Sequence, residues 1–251
     1  MPARRLLLIV ALVGVVVGVL PSCSLLNKQV DVLLIGDSIM GQSGPFVEDL
    51  LRKQPALSDV DVQVEAVNGS GLLTPAIKDW QTAGPELARE YQPDITVILM
   101  VGNYSDTELW TGSDGLPVAN DYSDVFYREW GVEATKLTEA IQATGSQVYW
   151  VLPPPFYGDE GRRRETLLRD TYVQLARDHP GVGLIDGRSS LGTGTGQFTW
   201  KLPSMDTGEE VAVRQGDSLH LTTDGGKLLA RQMAQELSPA LQQVRQSRAT
   251  V

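Results

Sequence analysis

The sequence predicts a single α/β domain, a three-layer sandwich in which a five-stranded parallel sheet lies between two layers of helices. From residue 30 onward, short apolar runs rich in β-branched residues alternate with longer segments of helical periodicity. Continuous apolar runs are typical of strands buried on both faces, as in parallel sheets. No internal repeat or linker interrupts this alternation, and 251 residues are enough for one domain with a substantial core. The expected arrangement is flavodoxin-like.

Five segments have strand character. The second alternates with a period of two (Val-Asp-Val-Gln-Val-Glu-Ala-Val), whereas the third is wholly apolar (Ile-Thr-Val-Ile-Leu-Met-Val) apart from one threonine. The predicted strands are residues 30–35, 60–67, 95–101, 148–152 and 182–185.

Five helices are predicted between and after these strands, at residues 46–53, 76–91, 123–144, 162–178 and 222–243. Gly145 is a suitable C-terminal stop for the third helix, and Pro93 lies just beyond the second. Three long loops, 102–122, 153–161 and 187–216, follow strands and are therefore expected at the carboxyl edge of the sheet. That edge is where open α/β sheets bind ligands.

The first 22 residues have the layout of a secretory signal, with Arg4 and Arg5 before an uncharged apolar run at 6–20. Residues 20–23 (Leu-Pro-Ser-Cys) resemble a bacterial lipobox, which implies lipidation of Cys23. An ordinary cleaved signal and an uncleaved helical anchor are the alternatives. We therefore expect a leader at 1–22, a tether at 23–29 and the α/β domain at 30–251. Each alternative places the domain outside the cytoplasm, tethered to the membrane by lipid or N-terminal helix, or secreted.

Charge and cysteine content exclude several classes of function. With 21 basic and 31 acidic residues the chain has a net charge of −10, which disfavours a nucleic-acid partner. One cysteine permits neither an internal disulfide nor a zinc site built from several cysteines. We expect no metal and no cofactor.

Two short motifs could together form a nucleophilic site. Ser38 follows the first predicted strand directly, so its hydroxyl should lie at the sheet edge. A serine needs a base, and the chain has two histidines. His179 lies in a turn after a helix, where a solvated loop histidine is the simpler interpretation. His220 follows Asp217 by three residues, a spacing at which the carboxylate can hold Nδ1 and leave Nε2 for the serine.

These motifs, taken in order, resemble those of the SGNH (GDSL) hydrolase superfamily. Residues 36–39 (Gly-Asp-Ser-Ile) match the first block, and residues 68–71 (Asn-Gly-Ser-Gly) resemble the block that supplies an oxyanion-hole glycine. Residues 101–103 (Val-Gly-Asn) match the block that supplies the asparagine, and residues 217–220 (Asp-Ser-Leu-His) match the last block. The resemblance spans about residues 30–240. It departs from the family at Tyr104, where an aspartate is usual.

The resemblance implies Ser38 as nucleophile, His220 as general base and then acid, and Asp217 as the group that orients the imidazole. It also implies an oxyanion hole made by the backbone amides of Ser38 and Gly71 with the side-chain amide of Asn103. Gly71 is preferred because it lies three residues past Asn68, and Gly69 is the alternative. The oligomeric state is not indicated.

The expected substrate is a short acyl ester, preferably acetyl, of a carbohydrate or another small molecule. Trp110 and Trp200 lie in loops that should border the site, and flat rings stack on sugars. Packing of both rings on the domain is the competing interpretation. An O-acetyltransferase acting on cell-envelope glycans, or a glycan-binding domain without activity, are the alternatives to an esterase.

Overall fold

A five-stranded, wholly parallel sheet forms the centre of the computed structural model, which describes residues 29–104, 110–119 and 122–249. The leader and Cys23 lie outside these residues, as do residues 105–109, 120–121 and 250–251. The sheet order is β2-β1-β3-β6-β7, and two short hairpins, β4-β5 and β8-β9, lie outside it. The strands are β1 (Asp31–Gly36), β2 (Asp61–Ala66), β3 (Ile95–Leu99), β4 (Trp110–Thr111), β5 (Pro117–Val118), β6 (Gln147–Leu152), β7 (Gly183–Asp186), β8 (Lys201–Pro203) and β9 (Glu210–Ala212).

Helices cover both faces of this sheet and make it the middle of three layers. Helices α1, α2, α6 and α7 pack together on one face, and α3, α4 and α5 on the other. The helices are α1 (Ser38–Ser43), α2 (Val47–Arg52), α3 (Trp80–Tyr91), α4 (Asp124–Gln142), α5 (Gly158–Asp178), α6 (Gly187–Leu191) and α7 (Thr223–Ala249). The predicted fold class is confirmed.

The side chains of β1 show how the two layers are built. Val32 and Leu34 enter the hydrophobic cluster under α7, whereas Leu33 and Ile35 enter the cluster under α4. All four side chains are buried, as the continuous apolar run predicted. At the end of β1, Gly36 pairs with residues at the ends of β2 and β3, so the three strands finish at one edge.

Two predicted helix starts were wrong because a capping aspartate lies elsewhere than the sequence pattern suggested. A helix begins already at Ser38, because Asp37 caps it, and the helical region is then divided by a 3-10 turn at Gly44–Phe46. Helix α3 begins at Trp80 rather than residue 76, since the Asp79 carboxylate accepts hydrogen bonds from the Gln81 and Thr82 amides.

The long loops are shorter or more ordered than the sequence suggested. Helix α5 begins at Gly158, so the loop after β6 is reduced to residues 153–157. The loop after β3 contains the β4-β5 hairpin, and the loop after β7 contains α6 and the β8-β9 hairpin. Helix α7 extends to Ala249, beyond the predicted end at 243. Within the described residues, no helix combines the length and apolarity that crossing a membrane requires.

Candidate active site

Ser38 lies at a sharp turn from the central strand β1 into α1. At Gly36 the chain passes so close to its neighbour that an added Cβ would lie 2.1 Å from the Leu99 carbonyl oxygen, which explains the glycine. The Asp37 carboxylate then accepts a hydrogen bond from the Ile39 amide and starts the helix. Ser38 is the first helical residue, so its own amide needs no intrahelical acceptor.

His220 and Asp217 are held together by a tight loop just before α7. The Asp217 Oδ1 atom accepts hydrogen bonds from the backbone amides of Leu219, at 3.0 Å, and His220, at 2.9 Å. Gln215 donates its amide to the His220 carbonyl oxygen at 2.8 Å and closes the loop. Ser218, between the two functional residues, has a φ of 64°, a left-handed conformation that costs energy for serine. The loop therefore fixes the geometry of both side chains.

These two segments, far apart in sequence, meet at the carboxyl edge of the sheet. The His220 Nε2 atom lies 2.9 Å from the Ser38 Oγ atom, and His220 Nδ1 lies 2.6 Å from Asp217 Oδ2. The hydrogen bond from His220 holds the pKa of Asp217 below its ordinary value. The Ser38 side chain is buried, whereas the side chains of His220 and Asp217 are 33% and 50% exposed. The arrangement is that of a serine, a base and a carboxylate in hydrogen-bonded series.

Gly71 and Asn103, the residues expected to complete the oxyanion hole with Ser38, lie next to each other. The Gly71 amide has no acceptor among the described residues, and the glycine packs on Asn103, where an added Cβ would lie 2.5 Å from the backbone oxygen. The Asn103 Nδ2 group donates to Asp37 Oδ2 at 3.1 Å and to the Ser70 carbonyl oxygen at 3.0 Å. Both hydrogens of this amide are thus engaged in the free protein.

Gly69, the alternative to Gly71, lies elsewhere. It is exposed, has a φ of 74°, and an added Cβ would contact only the end of the Ile77 side chain, at 3.9 Å. Gly69 therefore serves the turn, whereas Gly71 is the glycine that adjoins Asn103.

This difference gives a paired prediction. Gly71→Ala is expected to displace the Asn103 backbone and to lower kcat by about 100-fold, the size of effect that follows loss of one oxyanion donor. Gly69→Ala is expected to cost about 1 kcal/mol in unfolding free energy, because of its positive φ, with little change in kcat. Steady-state kinetics and urea unfolding of both variants test the pair. Equal loss of activity in the two variants would contradict the assignment.

Asp37 is a wholly buried carboxylate behind the nucleophile, and sequence reasoning gave it no role. Its Oδ2 accepts hydrogen bonds from the Val101 amide at 2.7 Å and from Asn103, and its Oδ1 accepts from Ile39. Burial raises the pKa of Asp37 to about 6, against the opposing effect of the hydrogen bonds from the Val101 and Ile39 amides. Asp37 thus joins α1 to the segment that carries Asn103.

Folding should therefore depend on pH through Asp37. Between its unfolded pKa and about 6, the folded protein keeps a proton that the unfolded chain has lost, so stability falls as pH rises through that window. We expect this group to remove about 2 kcal/mol of unfolding free energy between pH 4.5 and 7.5. The measurement is urea unfolding of wild type and Asp37→Asn at both pH values. Asp37→Asn is expected to be less stable than wild type, but its unfolding free energy should lack the fall caused by ionisation of Asp37. Identical pH dependence of stability in the two proteins would contradict this role of Asp37.

Arg214 supports the loop that carries His220 and was not anticipated. Its buried guanidinium donates to the Leu219 carbonyl oxygen and to the Pro155 carbonyl oxygen, each at 2.9 Å. Burial lowers the pKa of Arg214 to about 10. A buried arginine bound to carbonyl oxygens of two separate loops leaves no pattern in the sequence.

Tyr104, which stands where an aspartate is usual in the SGNH hydrolases, also supports a loop. Its hydroxyl donates to the Val118 carbonyl oxygen at 2.5 Å and accepts a hydrogen bond from the Trp110 amide at 3.1 Å. The tyrosine therefore ties the segment after Asn103 to the β4-β5 hairpin.

The two tryptophans expected near the substrate differ in their surroundings. Trp110 is half-buried and packs on the hydrophobic cluster under α4, whereas Trp200 is 41% exposed and contacts other aromatic rings. No group of three or more His, Cys, Asp or Glu side chains suited to a metal ion is found in the described part of the chain.

Several solved structures of esterases and a lipolytic protein have a similar fold. Similar structures include a carbohydrate esterase family 3 protein from Talaromyces cellulolyticus, with a TM-score of 0.58 and 15% identity over 86% of this chain and 99% of the other. A catalytic mutant of an acetylxylan esterase from Geobacillus stearothermophilus gives a TM-score of 0.58 and 17% identity, over 82% and 93%. A protein from Desulfitobacterium hafniense, described as a lipolytic protein of the G-D-S-L family, has a TM-score of 0.55. Its identity is 12%, and the match covers 82% of this chain and 99% of the other.

The fold is that of the SGNH (GDSL) hydrolase superfamily, as the four motifs indicated. Within that class, residues 31–236 match the family described as "Protein of unknown function (DUF459)", and the chain belongs to this family. No curated protein matches the sequence.

Proposed function

We propose that the protein is a carboxylic ester hydrolase that works through an acyl-enzyme on Ser38. The observation that carries this proposal is the hydrogen-bonded series from Ser38 through His220 to Asp217, with contacts of 2.9 and 2.6 Å. A binding domain without activity would not need a serine, a base and a carboxylate in this order.

In the proposed reaction, Ser38 Oγ attacks the ester carbonyl carbon while its proton passes to His220 Nε2. The carbon–oxygen bond to the alcohol then breaks, and the alcohol leaves with that proton. Water, deprotonated by His220, attacks the acyl-enzyme, the acid departs, and Ser38 recovers its proton. Asp217 keeps Nδ1 protonated and stabilises the imidazolium.

Each attack makes a tetrahedral oxyanion, for which the amides of Ser38 and Gly71 are the available backbone donors. Asn103 is the proposed third donor. Because both of its amide hydrogens are already engaged, it must share or release one of them as the negative charge develops. Because His220 is partly exposed, water and a sugar hydroxyl can both reach it, and the assay below decides between hydrolysis and transfer.

Short acyl esters of carbohydrates are the proposed substrates. Two proteins of similar fold are described as a carbohydrate esterase and an acetylxylan esterase, which supports starting with acetyl groups. Full-length protein should be assayed on 4-nitrophenyl acetate, butyrate and octanoate, with a fluorophosphonate probe to label Ser38. Activity highest on acetate, with labelling at Ser38, supports the proposal. No turnover of any ester together with no labelling would overturn it, and sugar acylation faster than hydrolysis would favour a transferase.

We also propose that the domain is exported and tethered through Cys23. This proposal rests on the sequence of residues 1–23, with its two arginines, apolar run and terminal cysteine. Mass spectrometry of protein expressed in a bacterium and recovered from membranes should give an N-terminus at a lipidated Cys23, and Cys23→Ser should release the protein. An unmodified Cys23 in mature protein would refute the lipid tether.

A further inference from the structure

Three aromatic side chains, Tyr157, Phe198 and Trp200, form a cluster on the loops near the candidate active site. Their ring centroids are separated by 5.2 Å (Tyr157–Phe198), 5.8 Å (Tyr157–Trp200) and 5.1 Å (Phe198–Trp200). Tyr157 is 59% exposed and Trp200 is 41% exposed. Among the large hydrophobic side chains exposed in the described part of the chain, these two are the aromatic ones, and they contact each other.

The cluster borders an open cleft of about 520 Å³, within the range of small-molecule sites. Tyr157 and Phe198 line it together with three residues that offer polar groups, Gly158, Arg162 and Gln197. Apolar ring faces beside guanidinium and amide donors suit a ligand that has both an apolar face and hydroxyl groups. Arg162 also pairs with Asp159, so the polar rim of the cleft is charged and hydrated, which suits a hydroxylated ligand better than a hydrocarbon chain.

Arg214 connects the cluster with the catalytic loop. Its guanidinium carbon lies 5.5 Å from the centroid of the Phe198 ring. The same guanidinium donates to the carbonyl oxygens of Leu219, adjacent to His220, and of Pro155, two residues before Tyr157. The Arg214 side chain therefore contacts both the aromatic cluster and the loop that positions His220. A second connection is the hydrogen bond from the Val213 amide to the Trp200 carbonyl oxygen.

We propose that the rings of Tyr157, Phe198 and Trp200 form a sugar-binding platform that holds the carbohydrate part of an acylated glycan while its ester reaches Ser38. A pyranose ring presents a face of C–H groups, which is attracted to the negative face of an aromatic ring, and it carries hydroxyl groups at its rim. Trp110, which is half-buried against the core, does not belong to this platform. The proposal rests on the esterase function proposed above.

The first test measures sugar binding without catalysis. Full-length Ser38→Ala protein is titrated with xylohexaose, cellohexaose and chitohexaose while tryptophan fluorescence is recorded. We expect at least one oligosaccharide to change the emission, and the change to disappear when Trp200→Ala is added. A change that persists without Trp200, or no change with any of the three sugars, would overturn the platform.

The second test measures substrate preference in the active protein. For acetylated xylo-oligosaccharides relative to 4-nitrophenyl acetate, the ratio of kcat/KM values is expected to fall about 10-fold in Trp200→Ala and in Tyr157→Ala. Because Tyr157 is so exposed, its variant should fold even if the tryptophan variant does not. Leu116→Ala, an exposed apolar residue of the β4-β5 turn, is the matched control and should keep the wild-type ratio.

The outcomes separate the two proposals. Wild-type protein that hydrolyses neither substrate would remove the esterase function, while the binding titration would still decide the platform. Hydrolysis of 4-nitrophenyl acetate, with equal ratios in wild type and both aromatic variants, would leave the esterase function and overturn the platform.

Discussion

Replacing Ser38 by alanine is expected to lower kcat on 4-nitrophenyl acetate by about 10⁴-fold or more, since the proposed reaction passes through a covalent bond to its Oγ. The His220→Ala variant should lose a similar amount, and the double variant little more, because the two residues act as one unit. Single-turnover kinetics of the three variants measures this. Losses that multiply in the double variant would contradict a shared step.

Two matched controls distinguish loss of the nucleophile or base from a general disturbance of the fold. Ser43→Ala is in the same helix, where the Ser43 hydroxyl donates to the Ile39 carbonyl oxygen, so it should cost about 1 kcal/mol of stability but little activity. His179→Ala removes the other histidine of the chain, just after α5, and should also leave kcat near the wild-type value. If Ser43→Ala were as inactive as Ser38→Ala, disturbance of α1 would explain both.

The second large effect is expected at Asn103. Asn103→Ala should lower kcat by about 10²- to 10³-fold with KM changed little, because an oxyanion donor acts on the transition state more than on the bound ester. Steady-state kinetics on 4-nitrophenyl acetate checks this, with Asn68→Ala, an exposed asparagine of the neighbouring loop, as the control.

Loss of stability must be measured in the same variant, because Asn103 also donates to Asp37 and to the Ser70 carbonyl oxygen. Removing it leaves both buried acceptors with fewer donors, which costs about 1–3 kcal/mol. A variant that is fully folded at the assay temperature yet retains kcat within about 5-fold of wild type would exclude Asn103 from the oxyanion hole.

The sequence was sufficient to predict the five-stranded sheet and the residues that meet at its carboxyl edge. The five segments of strand character predicted the five strands of the central sheet, and the position of Ser38 after β1 placed it at the carboxyl edge. The three-residue spacing of Asp217 and His220 predicted their contact, since that spacing allows one tight loop. These features depend on local sequence or on general rules of parallel sheets.

What the sequence could not predict depends on contacts between distant loops. Gly69 and Gly71 look equivalent until their backbone angles and their distance from Asn103 are known. Arg214 binds two carbonyl oxygens that are five and 59 residues away, and the contacts of Tyr157 with Phe198 and Trp200 join two loops. Such contacts depend on how distant segments pack in the folded chain, so neither residue type nor periodicity predicts them.

The contact between Ser38 and His220 spans 182 residues, nearly the whole length of the domain. In the sheet, β1 lies between β2 and β3, and the segment before α7 returns to the end of β1. Contacts of such long sequence separation are slow to form, so the reactive pair should assemble late in folding. A nascent chain that still lacks its C-terminal part would therefore be inert, and recovery of hydrolysis during refolding would report completion of the whole domain.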